Sequence, residues 1–288
     1  MRQIRVVVLG VVVILLGSCN NRHDIQPYIG EFDNGEFDNS KFNNPQQKIF
    51  DDFLRQKKDF SSCSNDIQKK EYIKKIEADL SNFLDTVKVF VNWKGKINNI
   101  EASEFFGLIK IAGWTNITFE ISYEPEEYRK VCFKCSHIVE TDKLNEDYIY
   151  NQVKNISNSS TVYFDGFINR DFDGKVVYYG YKSDDLQISY PEYKFNILKI
   201  NTKPVDTLST ELKNMIDANF KIMDLAKQKH QKEITEKEFK ARLKELKTLQ
   251  PELSEKEKEY GHQMLQYLFL NTFGWDLGLR YYKEIMNK

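Results

Sequence analysis

From about Phe83 the apolar residues of this chain stop recurring at helical spacing and fall into short β-branched and aromatic runs; after Pro204 the helical spacing returns. That change of period limits the fold more than any other feature, because side chains alternate along a strand but share a face every three to four residues along a helix. The runs are Val87 to Val91 leading into Trp93-Lys94-Gly95-Lys96-Ile97, then Gly107 to Ile111, then Ile117 to Ile121, separated by Gly, Asn and Pro as strands should be. Residues 145 to 156 interrupt them with apolar groups at Ile149, Val153 and Ile156, the pattern of a short helix capped by Asn145. Strands resume at Thr161 to Ile168, turn at Asp173-Gly174, continue over Lys175 to Tyr181, and end with Tyr193 to Ile200 after the Tyr190-Pro191 break.

Helices are expected on both sides. Asn44-Pro45 pairs a capping residue with proline at the first helical position, and Ile49, Phe50, Phe53 and Leu54 follow at helical spacing. A second helix after Ser64 carries Ile67, Ile73, Ile76 and Leu80 on one face and Lys69, Lys70, Lys74 and Lys75 on a solvated one. Beyond Pro204, Leu208 to Gln228 reads as a helix, and Thr235-Glu-Lys-Glu238 and Ser254-Glu-Lys-Glu257 are capping boxes that open two more. Phe239, Leu243 and Leu246 mark the core face of one, and Met264, Leu265, Leu268 and Phe269 that of the other; a last helix spans Trp275 to Met286.

Three strands, a helix and then further strands is the plan of the five-stranded OB barrel. Trp93-x-Gly95-x-Ile97, Val162-Tyr-Phe164-x-Gly166-Phe167 and Phe195-x-Ile197 resemble the OB-like domain of uncharacterised bacterial lipoproteins, a tRNA-anticodon-binding-like group, over residues 45–203. The fold class expected is therefore α+β, a small OB-like five-stranded β-barrel with preceding helices and a helical C-terminal module at 204–288. Ile234 to Phe239 also resembles a short helical motif found at the ends of many bacterial proteins.

The N-terminus reads as an address. Arg2 and Arg5 precede an apolar run from Val6 to Leu16 that is too short to span a bilayer, which takes about 20 residues, but long enough for a secretory signal. Leu16-Gly17-Ser18-Cys19 resembles the lipobox of bacterial lipoproteins. The resemblance implies removal of residues 1–18, acylation of Cys19 and a lipid-anchored place in the bacterial cell envelope. Asn20 after the cysteine fits the enterobacterial sorting rule for the outer membrane, on its periplasmic or surface face. Residues 19–44 form a low-complexity tether: Gly-Glu-Phe-Asp-Asn occurs at 30–34 and again at 35–39, a period of five that suits neither helix nor strand. Its spaced phenylalanines, Phe32, Phe37 and Phe42, leave room for a docking motif beside the plain tether reading.

Charge and chemistry narrow the function. The chain carries 42 Lys+Arg against 43 Asp+Glu, and residues 83–203 carry 15 against 17, so the barrel lacks the basic excess that drives phosphate binding. Nucleic acid is thus not the expected partner, although Trp114, Tyr163, Phe167, Tyr178, Tyr179 and Tyr181 could have served as stacking platforms. Cys132-Phe-Lys-Cys135-Ser-His137 is the one reactive constellation; Ser136 stands where a c-type haem site needs histidine. In an oxidising compartment a disulfide involving Cys63, Cys132 or Cys135 is the default, with free thiols or a metal or redox site as alternatives. Two acidic groups, Glu124, Glu126 and Glu127 and then Asp184 and Asp185, sit in turn-like surroundings where carboxylates are solvated, not paired for glycoside hydrolysis. No catalytic residue, cofactor or metal site is therefore expected. The sequence predicts a non-enzymatic binding or envelope-assembly component, held to the membrane through Cys19, with a protein or glycan partner. A glycan-binding or glycan-processing accessory protein and a cysteine-based redox or metal-binding protein are the alternatives.

Overall fold

The computed structural model describes residues 43–56, 62–106, 109–110, 112–124, 130–180, 190–204, 208–248 and 253–286. The signal, Cys19 and nearly all of the tether lie outside them, as do Glu126, Glu127, Tyr181, Asp184 and Asp185. Two helices lead in, α1 (Pro45–Gln56) and α2 (Asp66–Thr86). The strands are β1 (Phe90–Ser103), the two-residue β2 (Phe105–Phe106) and β3 (Ile109–Lys110), β4 (Trp114–Tyr123) and β5 (Val131–Glu140). After helix α3 (Tyr148–Val153) come β6 (Thr161–Ile168) and β7 (Glu192–Asn201), then α4 (Thr210–His230), α5 (Glu236–Thr248), α6 (Glu255–Phe273) and α7 (Trp275–Met286).

The five long strands close in the order β1-β4-β5-β7-β6, antiparallel except for the β5/β7 pair. With α3 lying in the chain between β5 and β6, this is the OB topology, and the fold class is α+β as expected. The strand assignment differs in two places. Within Gly107 to Ile111 the described Ile109 and Lys110 pair with Phe105–Phe106 outside the barrel, and the third barrel strand is Val131–Glu140, which carries the two cysteines. Lys175 to Tyr181 likewise forms no strand among its described residues, only isolated bridges from Val176 and Tyr178.

Inward positions follow the alternation: Trp93, Ile97, Phe119, Phe133, Phe164, Phe195 and Ile197 are all buried. α1 and α2 close over this core through Phe50, Leu80 and Phe83. Ile67, expected on the core face of α2, is instead 72% exposed in its first turn. Gly166 is a close-approach position: a Cβ there would lie 2.2 Å from the Asn196 carbonyl oxygen.

β1 bends at two register shifts, one at Asn92 (φ +50) and one at Asn99 (φ +53), a backbone region that asparagine tolerates better than most residues. A bulge frees backbone groups that must find partners, and the residues around the start of α1 supply them. Gln46 Oε1 accepts from Val91 N and Trp93 Nε1, both at 2.9 Å, and Asn44 Nδ2 donates to the Val91 and Asn92 carbonyls. The Asn92 amide donates to Asp165 Oδ1 at 2.7 Å.

The C-terminal helices share a second core with the barrel, not a separate one. Val89, Val91, Phe167 and Leu198 point out of the barrel into Leu212, Met215, Met264 and Phe269. Both expected capping boxes are present, at Thr235 and Ser254. Among the described residues no helix is long and apolar enough to cross a membrane.

Candidate functional site

β5 and β7 pair over only four residues, from Cys132/Glu192 to Cys135/Phe195, and beyond that no further pairing joins them. α6 meets both strands there: Gln263 Nε2 donates to the Ile197 carbonyl of β7 at 3.0 Å, and the Tyr267 hydroxyl bonds His137 Nδ1 of β5. His137 Nε2 bonds Asp147 Oδ2 at 2.8 Å, and the same carboxylate caps α3 through the Tyr150 amide. The cap is thus Asp147 and not Asn145, because Asp147 alone serves both helix and histidine. A carboxylate only accepts, so the ring carries its proton on Nε2 toward Asp147 and can take the tyrosine hydroxyl at Nδ1. Burial works against the charged Asp147, but the His137 and backbone hydrogen bonds outweigh it and hold the carboxyl below its usual range. Burial pushes the Tyr267 phenol far up. With both nitrogens engaged and 5% exposure, His137 is a structural tie between barrel, α3 and α6 rather than a base.

Beside this tie lies a groove of about 760 Å³, within the ~300–1,000 Å³ typical of ligand sites. Its floor is the outer face of β4 and β5, where Asn116, Thr118 and Glu120 stand opposite Ile138, Ser136 and Lys134 in register. In OB barrels this is the face of the second and third strands, which takes extended ligands. Ser136 Oγ donates to Asn116 Oδ1 at 2.6 Å, and Lys134 is ion-paired to Glu120. Burial raises and the Lys134 and Asn99 hydrogen bonds lower the Glu120 carboxyl, which settles below its ordinary value. Two aromatic rings stand at the ends of the floor. Tyr179, 49% exposed, lies under Lys134 Nζ at 5.4 Å, and Trp275 of α7 meets Trp114 edge-on at 5.6 Å. A side wall is an amide chain: Asn196 donates to Asn169, which donates to Asn271 at 3.0 Å, and the Asn271 Nδ2 at its end is buried with no partner.

The cysteine constellation does not assemble. Cys132 points outward to Glu120 Oε2 at 3.6 Å, whereas Cys135 points into the core. Three strand residues put their Cα atoms about 10 Å apart on opposite faces, beyond the ~4.4–6.8 Å a disulfide requires. Cys132 and Cys135 are thus not joined in a disulfide, and the expected pairing is corrected for these two to separate thiols. Burial, with Lys134 opposing and Glu120 adding, pushes the Cys132 thiol up to about 12, and burial also raises Cys135 well above the ordinary thiol range. Among the described residues no three His, Cys, Asp or Glu side chains converge on a metal-sized site. Glu124 is paired with Lys96 at 3.7 Å on the surface.

Of the aromatic residues that could have formed a stacking surface, Tyr163 and Phe167 are buried, Tyr178 packs on Tyr193, and only Tyr179 and, through Trp275, Trp114 belong to the groove. Tyr267, Asn271 and Trp275 escaped sequence reasoning because they arrive on helices about 130 residues downstream. The alternating polar residues at 116, 118 and 120 and at 134 and 136 were the visible signal of the floor. No protein-family model, curated protein or solved structure matches the chain.

Proposed function

We propose that this protein is a non-enzymatic binding component of the bacterial cell envelope, tethered through acylated Cys19, that holds its partner on the β4–β5 face of the barrel. The observation that carries the reading is the groove itself. Its floor comes from the barrel and one end wall from α7, so the C-terminal helices serve to complete a concave surface as well as to bury a core. A binding role suits the side chains better than a catalytic one. Among the described residues no histidine opens onto the groove, and burial holds its one lining thiol, Cys135, protonated. The tether rests on the charged, apolar and small-residue pattern that ends at Cys19, since lasting membrane attachment takes more than one acyl chain, as this modification supplies.

Two measurements test the reading. Cys19→Ala should move the protein from the membrane to the soluble fraction; unchanged fractionation refutes the anchor. Ser136→Trp, which fills the groove from its floor, should abolish recovery of the partner in pulldowns from crosslinked envelopes while leaving abundance and melting temperature unchanged. Undiminished recovery refutes the groove.

A further inference from the structure

We infer that the groove binds a neutral, extended oligosaccharide. This deepens the preceding proposal and rests on the groove being the binding surface. Three features of the walls choose among ligand classes.

The first is charge. The groove presents two carboxylates, Glu101 and Glu120, and two ammonium groups, Lys134 and Lys194, and one pair is already joined as Glu120–Lys134. A polyanion would find no surplus of positive charge and would release few counterions on binding. The second is the supply of groups that both donate and accept. Five asparagines and five hydroxyl-bearing side chains line the same surface, and hydroxyls and amides match a ligand whose own rim is hydroxyl.

The third is the placement of the aromatic rings. Tyr179 stands at the Glu120/Lys134 end of the floor and Trp275 at the Trp114 end. From residue 114 to residue 120 a strand advances about 20 Å, so the two rings are separated by a polar floor long enough for several sugar units. An aromatic face carries negative charge density and suits the C–H face of a pyranose, while the polar floor between takes its hydroxyl edges. A peptide fits less well. The β5 edge past Cys135 has no ladder partner, but a strand added there would lie beside the floor and leave the row of Asn116, Thr118 and Glu120 uncovered, and Ile138 is the one aliphatic side chain of the floor, where a docked helix needs an apolar trough.

The test uses the full chain purified in detergent, screened on an array of neutral, N-acetylated, sulfated and uronic-acid glycans with a dT12 oligonucleotide as the nucleic-acid probe. The strongest binder is then titrated by calorimetry at 50 and 500 mM NaCl. The inference expects a neutral glycan to bind, with affinity changing less than threefold between the two salts, and Asn116→Ala and Tyr179→Ala each to weaken it at least tenfold without lowering the melting temperature. Binding confined to anionic glycans or dT12 with a steep salt dependence, neutral binding that ignores both substitutions, or no binding at all overturns it. Failure here together with loss of partner recovery in Ser136→Trp would leave the groove reading standing and remove only the glycan; undiminished recovery in that variant would remove both.

Discussion

Asp165 is a carboxylate buried where the first β1 bulge meets α6, and it gives the sharpest quantitative prediction. It is 2% exposed, it accepts the Asn92 amide, and burial pushes its carboxyl up from 3.8 to about 6 against the opposing pull of Lys199. The groups facing it are Lys199 on β7, Tyr260 on α6 and Tyr148 at the start of α3; Tyr260 and Tyr148 stay protonated well above neutrality. A carboxyl that holds its proton more tightly when folded makes folding take up a proton between pH 3.8 and 6. Its contribution is therefore greatest below pH 3.8 and is lost as the pH rises through 6. The shift corresponds to about 3 kcal/mol at 1.36 kcal/mol per unit. Asp165→Asn keeps an oxygen for Asn92, removes the charge, and offers an N–H to the Tyr260 hydroxyl, which has no full hydrogen bond. Urea unfolding of both proteins from pH 4 to pH 8 should show the variant more stable by up to about 3 kcal/mol at pH 8, with the gap closing toward pH 4. A gap independent of pH, or one that favours the wild type increasingly as pH rises, would refute the burial argument.

Two further outcomes follow from the same packing. Gln46→Leu orphans the Val91 amide and the Trp93 indole N–H inside the core; at about 1–3 kcal/mol for each buried donor, urea unfolding should register a loss of about 2–6 kcal/mol, and a loss under about 1 kcal/mol would contradict the role given to this side chain. Iodoacetamide at pH 8 followed by mass spectrometry should leave Cys132 and Cys135 unlabelled until urea is added, since burial holds both thiols protonated; rapid labelling, or a mass two hydrogens low, would contradict the free and buried assignment.

How much of this could be read from the chain depends on how local each signal is. Asn44-Pro45, the Ser254 box and the β-branched and aromatic run of β6 are set by neighbours in sequence, and each appears where expected. The 14-residue β1 runs past Ile97, where its apolar run ends, and its first bend, at Asn92, is held by the distant Asn44, Gln46 and Asp165 side chains. The third barrel strand was obscured by its own cysteines, which suggested chemistry before structure, although Val131, Phe133, Cys135 and His137 alternate as a strand core should. Asp147 displaces Asn145 as helix cap through a tie to His137 that no local rule contains. The groove was half visible: its floor is written in alternating polar residues, but its walls come from α6, α7 and Tyr179, brought in by packing.

The central claim, that this face of the barrel is where the partner sits, is most directly tested in living cells with a photoreactive benzoylphenylalanine placed at one position at a time. At Ser136, on the groove floor, irradiation should yield a discrete adduct. At Ile67, 72% exposed in the first turn of α2, it should yield none at equal protein level. An adduct at Ile67 with none at Ser136 would place the binding surface elsewhere and contradict the account.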